Sequence, residues 1–204
     1  MKRVNNPIET VDFGKTVIPE NRLKFLGDKC AEVLSKVSGN VIEVGVYKGG
    51  TLIELAKQVR DVCPQYKVYG VDTFEGHPYD DGHPVHPKGK YADVNITDLQ
   101  EIIKKEGLSE WVELIQGKIE DVFDSLPAKE FAFAHIDCDL YIPIKFCATH
   151  IPPHIKKGGV IYFDDYGHEH CLGATKAVDE VFAKADIHEV SLSDGTCWSG
   201  YINL

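Results

Sequence analysis

The 204-residue sequence lacks several patterns that define large classes of protein. It has no run of about 18 apolar residues, which argues against a membrane span. Its first residues contain no apolar segment of the kind found in secretory signals, so we expect no such signal. Acidic residues outnumber basic ones, and the formal net charge is −10 at pH 7. Because contacts to phosphates need a basic excess, we expect no nucleic-acid partner.

Two short motifs are also missing. The six cysteines show no CxxC spacing, and most of them are flanked by apolar residues. This composition favours reduced, mostly buried thiols in a cytoplasmic protein. The dinucleotide fingerprint GxGxxG is absent, because Tyr47 stands where its second glycine would fall. That absence argues against a nucleotide-binding dehydrogenase.

Strand-like and helix-like segments alternate along the chain, which predicts a single α/β domain over residues 1–204 with a doubly wound, mostly parallel sheet. Residues 1–38 form an N-terminal extension and a helix that covers the sheet or pairs across a homodimer. The turn Ser193-Asp194-Gly195 predicts a closing antiparallel hairpin. Predicted strands are 41–46, 67–72, 111–115, 131–136, 159–163, 187–192 and 197–202, and predicted helices are 20–37, 49–59, 97–106, 119–125, 143–155 and 172–184.

Residues 74–92 interrupt this alternation with turns rich in proline and glycine. The segment follows the second strand and therefore lies at the carboxyl edge of the sheet, where open α/β sheets bind ligands. A loop of this length is commonly functional, and we predict a lid. Its histidines are interpreted first as parts of turns, with a metal site as the alternative; they are His77, His83 and His86.

A cofactor site is predicted where the first strand meets the next helix. Glycines there allow close backbone approach, and free N–H groups at a helix start favour a polar or anionic group. Without a pyrophosphate fingerprint, the site suits S-adenosylmethionine (SAM), whose amino-acid end would lie against this loop and Glu43. The predicted contacts are Glu43, Gly45, Val46, Tyr47, Gly49, Gly50 and Thr51.

Two further segments extend this cofactor prediction. Asp72 and Thr73 end the second strand, where an acidic residue accepts hydrogen bonds from ribose hydroxyls. Gly117, Lys118 and Ile119 follow the third strand, where an adenine ring would lie. Asp137, at the end of the fourth strand, is also predicted to contact the cofactor. The alternatives are that Asp72 is an ordinary strand-end acid and that Gly117–Ile119 form a plain β–α turn.

Four carboxylates follow the fourth and fifth strands, namely Asp137, Asp139, Asp164 and Asp165. Because parallel strands end at one edge, we expect them to converge and to hold a cation that relieves their repulsion. Oxygen-only ligands suit Mg²⁺, Ca²⁺ or Mn²⁺ rather than zinc. The metal would lower the pKa of an acceptor hydroxyl, and Asp139 or Asp137 would take the proton. Alternatively, these acids cap helices or face solvent. His168 and His170, which follow directly, are polar loop residues or contact the acceptor.

The motifs together resemble the macrocin O-methyltransferase (TylF/MycF-like) family of class I SAM-dependent methyltransferases. The resemblance covers about residues 17–184. It rests on the segments VIPENR, EVGVYKGGT, GVDTFEG, the QG turn, DCDLY and GGVIYFDDYG, and on Cys171-Leu172-Gly173 and Ala177-Val178, which follow the last of these. It implies a seven-stranded SAM-binding sheet and Mg²⁺-assisted methylation of a hydroxyl on a sugar or glycoside. It also implies that Asp137 or Asp139, with Asp164 and Asp165, binds the metal.

Two other functions remain as alternatives. A catechol-like phenol would need apolar walls, which aromatic side chains could supply; these are Phe74, Tyr79, Tyr141 and Tyr166. A non-catalytic SAM-binding module would keep the fold but would have no need for the carboxylates.

Overall fold

A computed structural model of the protein describes residues 12–82, 84–190 and 199–204. Its strands are β1 (Asn40–Val44), β2 (Val68–Asp72), β3 (Val112–Gln116), β4 (Phe131–Ile136), β5 (Ile155–Phe163), β6 (His188–Glu189) and β7 (Gly200–Asn203). Its helices are α1 (Glu20–Leu34), α2 (Gly50–Val62), α3 (Ile96–Lys105), α4 (Ile119–Val122), α5 (Tyr141–His150) and α6 (Leu172–Asp179). Short 3₁₀ segments lie at Phe123–Ser125, Pro152–His154 and Lys184–Asp186.

The described strands form one seven-stranded sheet in the order β3-β2-β1-β4-β5-β7-β6. Strands β1 to β5 are parallel to one another, and β7 is antiparallel to both β5 and β6. The predicted doubly wound, mostly parallel sheet with antiparallel C-terminal strands is therefore confirmed. The turn predicted at Ser193–Gly195 lies outside the described residues.

The central strands are buried on both faces, as their nearly continuous apolar sequences predict. Alternate side chains pack into two cores on opposite faces of the sheet. One core joins Ile42 and Ile136 to α5 and α6, and the other joins Val41 and Phe133 to α1 and α2. Helix α1 buries Leu26, Cys30 and Val33 in the second core, so it covers the sheet.

Some element boundaries differ from the predicted ones for clear physical reasons. Helix α5 begins at Tyr141, because Pro143 in the first turn costs no helical hydrogen bond. It ends at His150, since Pro152 and Pro153 cannot continue a regular helix. Strand β5 begins at Ile155, before Gly158 and Gly159, and the pairing with β4 shifts register there.

Five cysteines fall in the described residues, and all are free thiols. Cys30, Cys63, Cys147 and Cys171 are buried, and Cys138 is half-buried. No helix among the described residues is long and apolar enough to cross a membrane.

Candidate active site

A cavity of about 890 Å³ opens at the carboxyl edge of the sheet. It is lined by residues that follow β1, β2, β3, β4 and β5, by the loop 74–92 and by the segment that leads into α1. Of the predicted cofactor residues, all of which the structure describes, only Glu43 and Gly49 do not line it. The predicted residues that do line it are Gly45, Val46, Tyr47, Gly50, Thr51, Asp72, Thr73, Gly117, Lys118, Ile119, Asp137, Asp139, Asp164 and Asp165.

The loop after β1 requires glycine at its first position. Gly45 has a φ of 91°, a conformation that L side chains rarely adopt. A Cβ at this position would overlap the main-chain oxygen of Asp137. Asp137 in turn donates its N–H to the carbonyl of Val44 at 2.8 Å. Gly45 therefore lets the ends of β1 and β4 approach each other at the cavity.

The Asp72 carboxylate organises two loops at once. Its Oδ2 accepts hydrogen bonds from the main-chain N–H groups of Val46 at 2.7 Å and Tyr47 at 2.8 Å. Its Oδ1 accepts one from the N–H of Phe74 at 2.8 Å. A carboxylate offers about four acceptor positions, so these bonds leave acceptor capacity toward the cavity. The ribose contact predicted for Asp72 stays a prediction.

Glu43 lies inside the sheet, and its partner is a residue that the sequence pattern did not single out. His135 Nδ1 lies 2.9 Å from Glu43 Oε1, and both side chains are fully buried. Burial alone would lower the pKa of His135, but its contacts with Asp164 and Glu43 raise it to about 10. Burial raises the pKa of Glu43, and His135 opposes that shift. Glu43 thus acts as the counter-ion of His135.

Three acidic residues meet at the ends of β4 and β5. Asp137, Asp164 and Asp165 each place one carboxylate oxygen within 4.8 Å of the others. Burial and mutual repulsion raise the pKa values of Asp137 and Asp165 well above their usual range. Arg22, in the first turn of α1, places Nη2 at 2.8 Å from Asp164 Oδ2. Arg22 belongs to the VIPENR motif, but the motif itself does not reveal this ion pair.

This acidic cluster has the composition of a site for a hard divalent cation. Its ligand atoms are all carboxylate oxygens, which Mg²⁺ prefers. Asp164 Oδ1 is buried, makes no hydrogen bond among the described residues and lies 3.8 Å from His135 Nε2, while the other oxygen is held by Arg22. The residues present therefore fit a bound Mg²⁺.

Asp139 faces a different set of partners from Asp137. Its Oδ2 lies 3.0 Å from His77 Nε2, and its Oδ1 lies 3.7 Å from His86 Nδ1. Burial acts to raise the pKa of Asp139, but the contacts with His77 and His86 outweigh it and lower the pKa. Asp137 and Asp139 are the two acids of the DCDLY motif, and the sequence pattern left their roles interchangeable. Their contacts in the structure distinguish them.

The aromatic residues named for a phenol pocket do not reach the cavity. Phe74, Tyr79, Tyr141 and Tyr166 are all absent from its lining. Tyr166 instead donates its hydroxyl to Asp179 at 2.8 Å and packs in the core. Among the described residues, Tyr47 and Tyr91 are the tyrosines that line the cavity. His168 and His170, in the loop after β5, also line it.

This sheet, with ligand loops at its carboxyl edge, defines a class I methyltransferase fold. The model of the macrocin-O-methyltransferase (TylF) family matches residues 2–198. The chain belongs to this family, and it is an enzyme of the O-methyltransferase class. A non-catalytic module is therefore ruled out. No curated protein sequence matches the chain significantly.

Solved structures share the fold over most of the chain. The O-methyltransferase NovP is 26% identical, with 92% of this chain and 81% of NovP covered and a TM-score of 0.78. CalS11, a calicheamicin methyltransferase, is 21% identical, with 91% and 80% covered and a TM-score of 0.76. TomG from Streptomyces achromogenes, solved in complex with SAM, is 13% identical, with 92% and 82% covered and a TM-score of 0.65.

Proposed function

We propose that the enzyme transfers the methyl group of SAM to a hydroxyl of a sugar or sugar-containing small molecule, with Mg²⁺ at the acidic cluster. The observation that carries this proposal is that Gly45, Asp72 and the three acids of the cluster line the same cavity. Cofactor-binding elements and metal-binding elements therefore meet where an acceptor would lie.

The cofactor part of the proposal rests on the loops after β1, β2 and β3. The amino-acid end of SAM would lie on the Gly45–Thr51 loop, the ribose hydroxyls on Asp72, and the adenine beside Gly117–Ile119. Free N–H groups at the start of α2, beside Gly50, would favour the carboxylate of such a ligand. SAM in the TomG complex supports this choice of cofactor.

Polar side chains near the acidic cluster favour a sugar over a phenol. Beyond the acidic cluster, the cavity wall carries Lys90, His168 and His170. None of the four aromatic residues expected to wall a phenol pocket lines it. A CalS11 structure is described as a TDP-rhamnose 3'-O-methyltransferase, which also favours a sugar hydroxyl.

Asp139 is the candidate proton acceptor that the metal would leave available. The half-buried carboxylate of Asp137 lines the cavity beside Asp164 and Asp165, where it would bind Mg²⁺. Asp139 also lines the cavity, and its Oδ2 lies 3.0 Å from His77 Nε2. When bound, SAM supplies a methyl group that leaves sulfur for the acceptor oxygen, and Mg²⁺ would lower the pKa of that hydroxyl. Asp139 would receive the proton.

The loop 74–92 would act as a lid over cofactor and acceptor. In its described part it forms neither helix nor strand, yet residues at both of its ends line the cavity. Ligand binding should then slow proteolytic nicking after Lys88 and Lys90. Equal cleavage with and without S-adenosylhomocysteine (SAH), the demethylated product of SAM, would show that the loop does not close over the site.

The first test is a calorimetric titration of the full chain with SAH, with and without Mg²⁺. Saturable micromolar binding would support the cofactor, and an acceptor panel of sugar nucleotides, glycosides and catechols with SAM would then identify the substrate class. Absence of SAH binding in both conditions would overturn the proposal. Methylation of catechols alone would overturn the sugar assignment.

A further inference from the structure

A hydrogen bond joins the loop 74–92 to the carboxylate that the proposed methyl transfer uses as its base. His77 Nε2 lies 3.0 Å from Asp139 Oδ2, and the two residues are 62 positions apart in the chain. We propose that His77 is a positioning residue for the reaction, because it holds the Asp139 carboxylate in place to receive the proton of the acceptor hydroxyl. This role rests on the proposed function with Asp139 as the base, and it gives the loop a part in the chemistry beyond covering the site.

The direction of this hydrogen bond follows from the chemistry of the two groups. An ionised carboxylate can only accept a hydrogen bond, so Nε2 of His77 carries a hydrogen and donates it. Hydrogen bonds from an N–H group to a charged oxygen are stronger than those between neutral groups. The bond therefore orients the carboxylate of Asp139, while His77 itself neither gains nor loses a proton in the reaction.

The other carboxylate oxygen of Asp139 is held more weakly. Its Oδ1 lies 3.6 Å from the thiol sulfur of Cys171 and 3.7 Å from His86 Nδ1. A thiol is a weak donor, and 3.7 Å exceeds the length of an N–H···O hydrogen bond. Because Asp139 lines the cavity and its Oδ2 is bound to His77, Oδ1 is the oxygen that would receive the proton.

The loop fixes the main chain of His77 from both sides. Its N–H donates to the carbonyl of Lys90 at 2.8 Å, and its carbonyl accepts from the N–H of Gly89 at 2.9 Å. Directly before it, the carbonyl of Gly76 accepts a hydrogen bond from the Thr73 hydroxyl at 2.8 Å, which ties this part of the loop to the end of β2. His77 is only 8% exposed. The donor is thus already in place before an acceptor binds, as a positioning group requires.

The main chain of Asp139 is held beside the acidic cluster. Its N–H donates to Asp165 Oδ2 at 3.1 Å, and one carboxylate oxygen of each residue lies within 4.8 Å of the other. Its φ is 58°, in the left-handed region that non-glycine residues seldom adopt. Such backbone strain is found mainly at functional sites. The base is therefore fixed at its main chain by Asp165 and at its side chain by His77.

The second ring nitrogen of His77 argues against a purely structural link. Its Nδ1 is buried and has no hydrogen-bond partner among the described residues. A buried polar atom without a partner destabilises a fold, and an apolar side chain of similar size would avoid that cost. A histidine at this position therefore serves the contact with Asp139 rather than the stability of the loop.

The test measures single turnovers of the full chain in Mg²⁺, with enzyme in excess over SAM and with the acceptor of the panel that is methylated fastest. Product release then does not mask the methyl-transfer step. In His77→Leu, which removes the donor, we expect the rate at saturating acceptor to fall about 100-fold, because a misplaced reacting group costs about that much. The acceptor concentration that gives half of this rate should stay nearly unchanged. His77→Gln should restore most of the rate, since its amide can donate in place of Nε2.

A matched control separates this role from a general effect of losing a histidine. His154 is half-buried, lies 3.1 Å through Nδ1 from the Lys129 carbonyl oxygen, and does not line the cavity. His154→Leu should therefore transfer the methyl group at the rate of the wild type. Thermal unfolding and SAH titration show whether each variant is folded and binds the cofactor. We expect equal SAH affinity in all of them, whereas a merely structural role of His77 would lower SAH affinity or the melting temperature without a selective loss of rate.

A double variant shows whether His77 acts through Asp139. Asp139→Asn removes the base, so the addition of His77→Leu to it should not slow the residual methyl transfer further. An equal loss from His77→Leu in both backgrounds would overturn the proposal. So would a normal rate in His77→Leu, or a rate in His77→Gln as low as in His77→Leu. A wild type that binds SAH but methylates no acceptor of the panel would instead overturn the proposed function, and the role of His77 with it.

Discussion

Arg22 and Asp164 form a buried ion pair that joins the first turn of α1 to the end of β5, with 2.8 Å between Nη2 and Oδ2. Burial acts to lower the pKa of Arg22, but Asp164, Asp137 and Asp165 outweigh it and raise the pKa, so the guanidinium stays charged. One permanent positive charge thus stands beside three acids. The remaining oxygen, Asp164 Oδ1, lies 3.8 Å from Nε2 of the buried His135.

Replacing Arg22 with methionine should destabilise the protein by about 3–5 kcal/mol, because the buried Asp164 would lose its closest cation. Equilibrium denaturation measures the change. The double variant Arg22→Met/Asp164→Asn should lose less stability than the single arginine variant, since no unpaired charge remains. Arg60→Met is the control, because Arg60 pairs with Asp61 on the surface. If Arg22→Met and Arg60→Met have equal stabilities, the ion pair does not stabilise the fold.

The order of elements in this fold follows from the apolar pattern of the chain. Strands β1 to β4 lie within a residue or two of the predicted segments, because buried parallel strands form short, nearly continuous apolar runs. The predicted start of β5 was wrong, since Lys156, Lys157 and Gly158 interrupt its apolar run and only its pairing with β4 shows that it begins at Ile155. Such tertiary pairing is not visible in a local pattern.

Gly45→Ala should destabilise the protein far more than a glycine substitution elsewhere with a similar φ. Gly107, which follows α3, has a φ of 70° and no heavy atom within 4 Å of the point that a Cβ would occupy. Gly107→Ala should therefore cost about 1 kcal/mol from backbone conformation alone. Gly45→Ala adds the overlap with Asp137, so it should cost several kcal/mol and reduce SAH affinity. Thermal unfolding and SAH titration measure both effects. Equal losses in the two variants would mean that close approach at Gly45 is unimportant.

Asp72→Ala should weaken SAH binding by about 100-fold or more, because a hydrogen bond to a charged group contributes about 1.5–3 kcal/mol and two ribose hydroxyls would lose their acceptor. The variant also frees the N–H groups of Val46 and Tyr47, so its melting temperature should fall. Asp93→Ala is the control, since Asp93 contacts the same loop through Tyr47 and Lys48 but is largely exposed. Equal SAH affinity in wild type and Asp72→Ala would refute the ribose contact.

The residues of the site were predictable to the extent that strand ends place them at one edge. Asp72, Asp137, Asp164 and Asp165 reach the cavity for that reason. The orientation of side chains was not predictable in the same way. Asp139 contacts His77 and His86 of the loop 74–92, and no sequence pattern displays these contacts.

Asp165→Asn should stabilise the metal-free protein. The raised pKa of Asp165 means that folding disfavours its ionised form, so at neutral pH its charge costs stability that the amide would recover. The amide oxygen can still accept the hydrogen bond from the Asp139 N–H. We expect the melting temperature in chelator to rise by a few degrees, which corresponds to about 1 kcal/mol for a chain of this size.

In Mg²⁺ the order of stability of Asp165→Asn and the wild type should reverse. The wild type should gain about 2.7 kcal/mol at a concentration 100-fold above its dissociation constant, while the variant gains little. Asp61→Asn, at an exposed site on α2, should change neither value. A variant that is less stable than the wild type in chelator, or equally stabilised by Mg²⁺, would show that the three acids do not repel one another around a cation site.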